Sequence, residues 1–463
     1  MDATATADTL WALQVAEHAH LLDSRLDTRF AQILATLAAK PLDAFPQACD
    51  SLADTKGLYR FLSNRRLSFD LLRQPFVQNT AQAVSGWNTI LSIQDSTSLN
   101  FSNLPATTGL GPLNDSPRAR GLHLHTTLAV RPDGVAVGLL HQQCWSRPTE
   151  GRSAVDRKQK PIEEKESFKW LAGIHATTAA LAELPDEQRP RVIHIMDREG
   201  DIHEVLQEIT DRGDGAVIRC AQNRSVAEHV DGALQALASA TCIDTVKREV
   251  PTQGGQRRTA RLQLRSVTLT ITPDPSRHKR RRPLTWTLIE AREVDTPEGV
   301  TPLLWRLWTT EPASTVAELL EVLRLYTLRW RVEDFHLTLK SGCRVEALAL
   351  ETAERLERAT LIYSAVAVRM VALRDLARIE PEAPCTTILS TDAWQALWCR
   401  IHKRALLANT PVPTVRQAVL WIGRLGGHLG RKRDGMPGVR TLWRGWRDLT
   451  LLATGWRLAR IQV

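Results

Sequence analysis

The segment LYTLRWRVEDFHLTLK, residues 325–340, sets Tyr326, Arg329, Glu333 and Lys340 at intervals of three, four and seven. At about 3.6 residues per turn, those intervals bring all four side chains to one face of a helix. Around them the helix is apolar, with Leu319, Leu320, Val322, Leu323, Leu325, Trp330, Val332, Phe335 and Leu339. A helix this apolar is packed on most sides. A carboxylate and two cations in such surroundings need partners, because desolvating an unpaired charge is costly. A metal ion and a phosphate backbone would supply both kinds. The pattern predicts one continuous helix, opened by Thr315 and Glu318 at capping-box spacing and closed near Gly342.

Working outward, the chain changes texture several times. Residues 1 to about 70 read as helical, interrupted at Pro46 and at Ser51–Lys56. Thr89–Gln94 alternates like a strand and ends at Asp95, a carboxylate at its tip. His123–Val130 and Val135–Cys144 read as strands joined by Arg131-Pro132-Asp133-Gly134, a strong hairpin turn. Residues 166–184 read as a helix, and Arg191–Met196 as a buried strand ending at Asp197. Helix Ile202–Ile209, strand Ala216–Cys220 and a β-rich stretch from about 225 to 308 precede the long helix. A helical tail follows, with a break at Pro381 and Pro384. This order resembles an α/β core of the ribonuclease-H-like kind, with a β-rich insertion before the last catalytic helix and helical domains on either side. The expected division is 1–70, 71–378 (insertion 225–308) and 379–463. In such a core the first and fourth strands adjoin, which would set Asp95 beside Asp197 at the edge where α/β sheets bind ligands.

The chain is 463 residues long, with Lys and Arg exceeding Asp and Glu by nine. That balance suits a polyanionic partner. The excess is clustered in runs at Arg257, Arg258, Arg261 and Arg265, at Arg277, Lys279, Arg280, Arg281 and Arg282, and at Arg424, Arg431, Lys432 and Arg433. Each run alone also reads as a solvated loop. The seven cysteines form no CxxC pair, which argues against a zinc ribbon or a disulfide framework. No basic region followed by an apolar core opens the chain, so no signal peptide is expected, and no apolar run approaches the ~20 residues that span a bilayer.

Asp95, Asp197 and Glu333 together would form an oxygen-only cage of the kind hard divalent cations prefer. Taken singly, each has a plainer role. Asp95 and Asp197 could cap a turn or a helix, and Glu333 could simply pair with Arg329. Two strand-end aspartates followed by a helical glutamate on a cationic stripe favour the metal site.

At this point the chain resembles a known family. Tyr326, Arg329, Glu333 and Lys340 match the Y-R-E-K motif of the insertion-sequence-four group of DDE transposases, and Ile93-Gln94-Asp95-Ser96-Thr97-Ser98-Leu99 and Asp197-Arg198-Glu199-Gly200-Asp201 resemble its two aspartate blocks. The resemblance implies a cut-and-paste DNA transposase acting through a hairpin intermediate. Asp95, Asp197 and Glu333 would hold two Mg²⁺ ions, with Mn²⁺ able to substitute. Tyr326, Arg329 and Lys340 would hold the phosphate beside the scissile bond, and Trp305 would stack on a flipped base. The plainer role for Trp305 is core packing, with Trp308 as an apolar neighbour. Arg198, Arg219 and Arg224 would contact phosphates, and Arg25 and Arg29 would help read the element end. The implied partners are double-stranded DNA, both terminal repeats and target, and a second copy of the chain. The implied setting is the bacterial cytoplasm, beside the nucleoid. Leu337 stands where a member of that group carries Lys, and Gln94 where one carries Glu. Metal-dependent nucleases and silent DNA-binding proteins on the same fold are the rival readings.

Overall fold

The computed structural model of the chain describes residues 7–114, 116, 118–148, 160–251, 257–273, 282–431 and 434–461. In chain order the N-terminal helices are α1 (Ala7–Ala16), α2 (Ser24–Ala39), α3 (Leu52–Leu62) and α4 (Phe69–Ala83). Strands β1 (Thr89–Asn100), β2 (Gly111–Pro112), β3 (Arg120–Val130) and β4 (Ala136–Trp145) follow. Next come α5 (Phe168–Ala182), β5 (Arg191–Met196), α6 (His203–Arg212), β6 (Gly215–Arg219) and α7 (Ala233–Ser239). The insertion holds β7 (Asp244–Pro251), β8 (Arg257–Ile271), β9 (Leu284–Val294) and β10 (Leu304–Thr309). The chain ends in α8 (Val316–Thr327), α9 (Trp330–Leu337), α10 (Ala353–Ile379), α11 (Thr391–His402), α12 (Val415–Leu425) and α13 (Val439–Ile461). Two compact units result: Met1–Ser85 with Ser96–Gly151 and Arg331–Val463, and Gly86–Asp95 with Arg152–Trp330.

The second unit is built on strands ordered β1-β5-β6-β10-β9-β8-β7. The first three are parallel, as strands joined through α5 and α6 must be, and the rest are antiparallel. Arg191–Met196 is a short apolar run buried after its first residue, the mark of a central strand. The β1–β5 pairing runs from Thr89↔Arg191 to Ile93↔Ile195. Carried two residues further, the same offset sets Asp95 level with Asp197. A core of Trp170, Ile174, Leu206, Ile218, Trp286 and Trp308 fills the space between sheet and helices.

In the first unit β3 and β4 form the expected hairpin. Arg131 N–H donates to Val135 O at 2.9 Å, and Gly134 sits at φ 101°, where a side chain would be strained. Helix α10 is buried on nearly every side. Its Arg358 is anchored by donating to the carbonyls of Leu62 and Leu67, each at 2.7 Å.

Two expectations are corrected. First, β1 does not end at Asp95 but runs on to Asn100. Ser96–Leu99 keep an extended backbone, with Ser96 bonded to His125 Nδ1 of β3 at 2.9 Å. Asp95 is therefore mid-strand, at the point where the pairing with β5 gives out. Second, the long helix is not continuous. After its capping box at Thr315 and Glu318, α8 closes at Thr327. Leu328 and Arg329 bond back three residues, to Leu325 and Tyr326, rather than four. Helix α9 then begins at Trp330, and Thr338–Gly342 wind as a π-helix, closed by Cys343 N–H on Thr338 O at 2.9 Å. The stripe is thus divided: Tyr326 in α8, Arg329 in the turn, Glu333 in α9 and Lys340 in the π turn.

Candidate active site

The site in the second unit begins with two carboxylates on parallel neighbours, Asp95 within β1 and Asp197 just past the end of β5. Asp197 follows directly on β5 and caps the short 3₁₀ turn Arg198–Gly200 by accepting Glu199 N–H at 2.8 Å. Burial pushes the Asp197 carboxyl above the ordinary aspartate range, and the charge of Glu199 adds to this. The Glu199 N–H and the charges of Arg329 and Lys169 oppose the shift without cancelling it. Lys169 is itself buried and reaches Glu199 at 3.0 Å.

Arg329 bonds Asp95 through Nη1–Oδ2 at 3.0 Å, with both side chains largely buried. From the turn between α8 and α9 the same guanidinium bonds the Tyr326 hydroxyl, which also meets Arg219 of β6. Burial raises the Tyr326 hydroxyl and lowers the Arg219 guanidinium relative to their ordinary values. Arg219 Nη2 donates to Leu304 O at 2.6 Å. Trp305 of β10 lies edge-on to Tyr326, with ring centroids 6.3 Å apart. It is half-buried and lines a cavity of about 490 Å³ with Ala291, Leu320 and Arg324, whereas Trp308 is fully buried in the core. Asp95, Asp197, Tyr326, Arg329, Arg219 and Trp305 are therefore gathered in one unit. Glu333 and Lys340 fall in the other, past Trp330. Among the described residues, no group of three or more His, Cys, Asp and Glu could by itself hold a metal ion.

The two aspartates nevertheless suit a divalent cation. They offer oxygen donors only, each lies two residues past the last β1–β5 pair, and one is buried at a cost that nearby positive charge would relieve.

Comparison with known families accounts for most of the chain. Residues 8–67 match "Transposase DNA-binding", residues 140–368 match "Transposase DDE domain" and residues 365–463 match "Transposase Tn5 dimerisation domain". The chain belongs to the DDE transposases. It is a cut-and-paste DNA transposase, a DNA-cleaving and divalent-metal-dependent enzyme that binds double-stranded DNA and dimerises. Among solved structures, a piggyBac transposase synaptic complex with hairpin DNA matches at 10% identity, with 98% of this chain and 82% of that one covered and a TM-score of 0.41. No helix among the described residues of the transposase is long and apolar enough to cross a membrane.

The transposase's other cations divide by environment. Arg198 is exposed beside Asp197. Arg224 is not: its Nε bonds Asp201 Oδ1 at 2.7 Å and its Nη2 bonds Asp201 O at 2.6 Å, with the Asp201 side chain wholly buried. Of the donors of Arg224, expected to contact phosphate, Nε and Nη2 are thus engaged by the carboxylate and carbonyl of Asp201. At the N-terminus, Arg25 is exposed on α2 and pairs with Asp23 at 2.8 Å. Arg29 reaches Asp54 at 3.3 Å. In the run along β8, Arg258 pairs with Glu293, Arg261 with Asp295 and Arg265 with Glu290, so each of these arginines has an acidic partner close by. Arg277, Lys279, Arg280 and Arg281, and Lys432 and Arg433, lie outside the described residues. Arg282 pairs with Asp211.

Proposed function

We propose that Asp95, Asp197 and Glu333 are the metal-binding carboxylates of this transposase, and that Tyr326, Arg329, Lys340, Arg219 and Arg198 hold the DNA phosphate beside them. The observation that carries this reading is that Asp95 and Asp197 each lie two residues past the last pair, Ile93↔Ile195, of the parallel neighbours β1 and β5, with Arg329 on Asp95. Two Mg²⁺ ions, or Mn²⁺ in their place, would activate the attacking hydroxyl and stabilise the leaving oxygen of an in-line displacement.

The chain's own residues prepare that step. Arg329 neutralises Asp95 here, and a phosphate offers its planar fork a second, bidentate acceptor. Tyr326, neutral at ordinary pH, donates its hydroxyl and steadies the Arg329 and Arg219 guanidiniums. Lys340 adds a point charge. Trp305 offers a half-exposed ring on which a base turned out of the duplex can stack, offsetting an unstacking cost of a few kcal/mol. Water would cut one strand, and the freed 3′-hydroxyl would attack the opposite strand to give a hairpin. After the hairpin reopens, the 3′ ends would join target DNA. A dimer would hold both element ends through the N-terminal domain, with Arg25 and Arg29 contributing, in the bacterial cytoplasm beside the nucleoid.

The test is incubation of the purified protein with labelled linear DNA carrying its element's terminal repeats, with and without Mg²⁺, beside Glu333→Ala. Hairpin ends and joined products that need Mg²⁺ are expected from the parent. The variant should bind ends with unchanged affinity and cut none. Cleavage without joining would make the protein a nuclease, and vigorous cleavage by Glu333→Ala would remove Glu333 from the site.

A further inference from the structure

Away from the active-site residues, four charged side chains share one face of the second unit's sheet. The register sets Arg265 of β8 opposite Glu290 of β9, and Glu290 opposite Arg306 of β10. Arg292, two residues beyond Glu290, lies on the same face. Glu290 is almost fully buried and accepts from all three arginines: from Arg292 Nε and Nη2 at 3.0 and 3.1 Å, Arg306 Nε at 2.8 Å and Arg265 Nη1 at 3.4 Å. Burial pushes its carboxyl up, but the bonds from Arg292 and Arg306 outweigh this and hold it low.

One carboxylate against three guanidiniums leaves two positive charges uncompensated. Their side chains are 44%, 28% and 22% exposed for Arg292, Arg306 and Arg265. Buried Arg265 Nε has no hydrogen-bond partner among the described residues. Two carboxylate oxygens cannot use every N–H that three guanidiniums offer, so donors remain for a further anion. Glu290 also holds the arginines in place beforehand, which lowers the entropic cost of binding one.

Side chains alternate across a strand. Trp305 and Leu307, with Arg219 opposite Leu307, therefore point to the other face of the sheet. The cluster cannot serve the phosphate that Arg219, Tyr326 and Arg329 would hold. We propose that Arg265, Arg292 and Arg306, organised by Glu290, form a second phosphate-binding site that takes a backbone phosphodiester of duplex DNA. The site rests on the reading of this chain as a DNA transposase.

The test is the salt dependence of binding of the full-length protein to two duplexes, one carrying the terminal repeat and one unrelated. Each lost phosphate contact lowers the slope of log K against log salt by about 0.9. Arg292→Gln with Arg306→Gln, which removes the one phosphodiester contact, should therefore lower it by roughly 0.9, while Arg292→Lys keeps most of it. A lower slope on the unrelated duplex alone assigns the site to target DNA, on the terminal repeat alone to element ends, and on both to either. Arg189→Gln with Arg212→Gln, which removes two arginines elsewhere in the same unit, should leave the slope unchanged. An unchanged slope in Arg292→Gln/Arg306→Gln, with the parent binding normally, overturns the site and leaves the transposase reading standing. So does a melting-temperature loss in Arg292→Lys as large as in the double variant with no change in its slope, which would make the cluster an internal ion network. Failure of the parent to bind either duplex overturns both readings.

Discussion

Replacing Arg224 by Ala separates two roles that an arginine near an active site can have. The side chain is 8% exposed and Asp201 is 0% exposed, and they meet at 2.5 Å. Asp201 Oδ2 accepts Ala221 N–H at 2.7 Å, so the carboxylate keeps one donor when the guanidinium is lost. Its charge is then uncompensated. Removing one partner of a buried, hydrogen-bonded ion pair costs about 3–5 kcal/mol. The carbonyl of Asp201 loses a donor as well but keeps Gln222 Nε2 at 3.2 Å, so little is added on that account. For a body of about 150–250 residues, each kcal/mol moves the midpoint by about 2–4 °C, so the loss should be about 6–20 °C in a melt. The assay is thermal unfolding, repeated for Asp201→Asn/Arg224→Met, which removes both charges and should recover most of the loss. Terminal-repeat affinity, measured well below the lowered midpoint, should be unchanged. A variant that melts with the parent yet binds DNA several-fold more weakly would refute the reasoning and return Arg224 to the DNA surface.

Two further outcomes follow from the first unit. Gly342→Ala places a methyl carbon 2.6 Å from the Trp443 ring, which is buried and rigid, so the variant should lose about 1–3 kcal/mol in a urea titration; Trp443→Leu in the same chain should restore part of it. Burial, reinforced by Glu354 and opposed by Arg358, raises the Glu357 carboxyl from 4.5 to about 7. The native state therefore keeps a proton that the unfolded chain releases, so stability is full below about 4.5 and is lost as pH rises through about 7. Glu357→Gln should gain at most about 3 kcal/mol at pH 8 relative to the parent and nothing near pH 4, with melting curves at both values as the check. Equal gains at both pH values would rule out titration as the cause.

Much of the site was legible because its signals are local. Asp95 and Asp197 each follow an apolar run that reads as a strand, and a helix between two such runs implies parallel neighbours. What one sequence cannot display is the register between strands about a hundred residues apart, which leaves each aspartate two residues past the same last pair. The break at Leu328 and Arg329 was invisible for the opposite reason: no Gly or Pro marks it, and the apolar spacing runs through it undisturbed. The burial of Arg224 against Asp201 was not legible, because residue type was the only clue to its role. Its partner Asp201 lies in a segment read as an aspartate block, and burial of the pair depends on how the loop after β6 folds over it. Arg292 and Arg306 belong to no basic run, so only cross-strand pairing reveals them as a cluster with Arg265.

The π turn at Thr338–Gly342 has a consequence for how this protein tolerates insertions and deletions. A π turn accommodates one residue more than the α turn it replaces. An extra residue in an ordinary helix would swing everything beyond it by about 100°. Absorbed here, it leaves the path before and after undisturbed, and Gly342 remains against Trp443. The segment thus carries a spare residue whose loss the fold can survive. Deleting Ser341 should give a protein that melts near the parent while Lys340, inside the turn, faces a new direction. The length of this one turn then tunes the aim of a cation without redesigning the helix around it, and a deletant that fails to fold would show the residue is not spare.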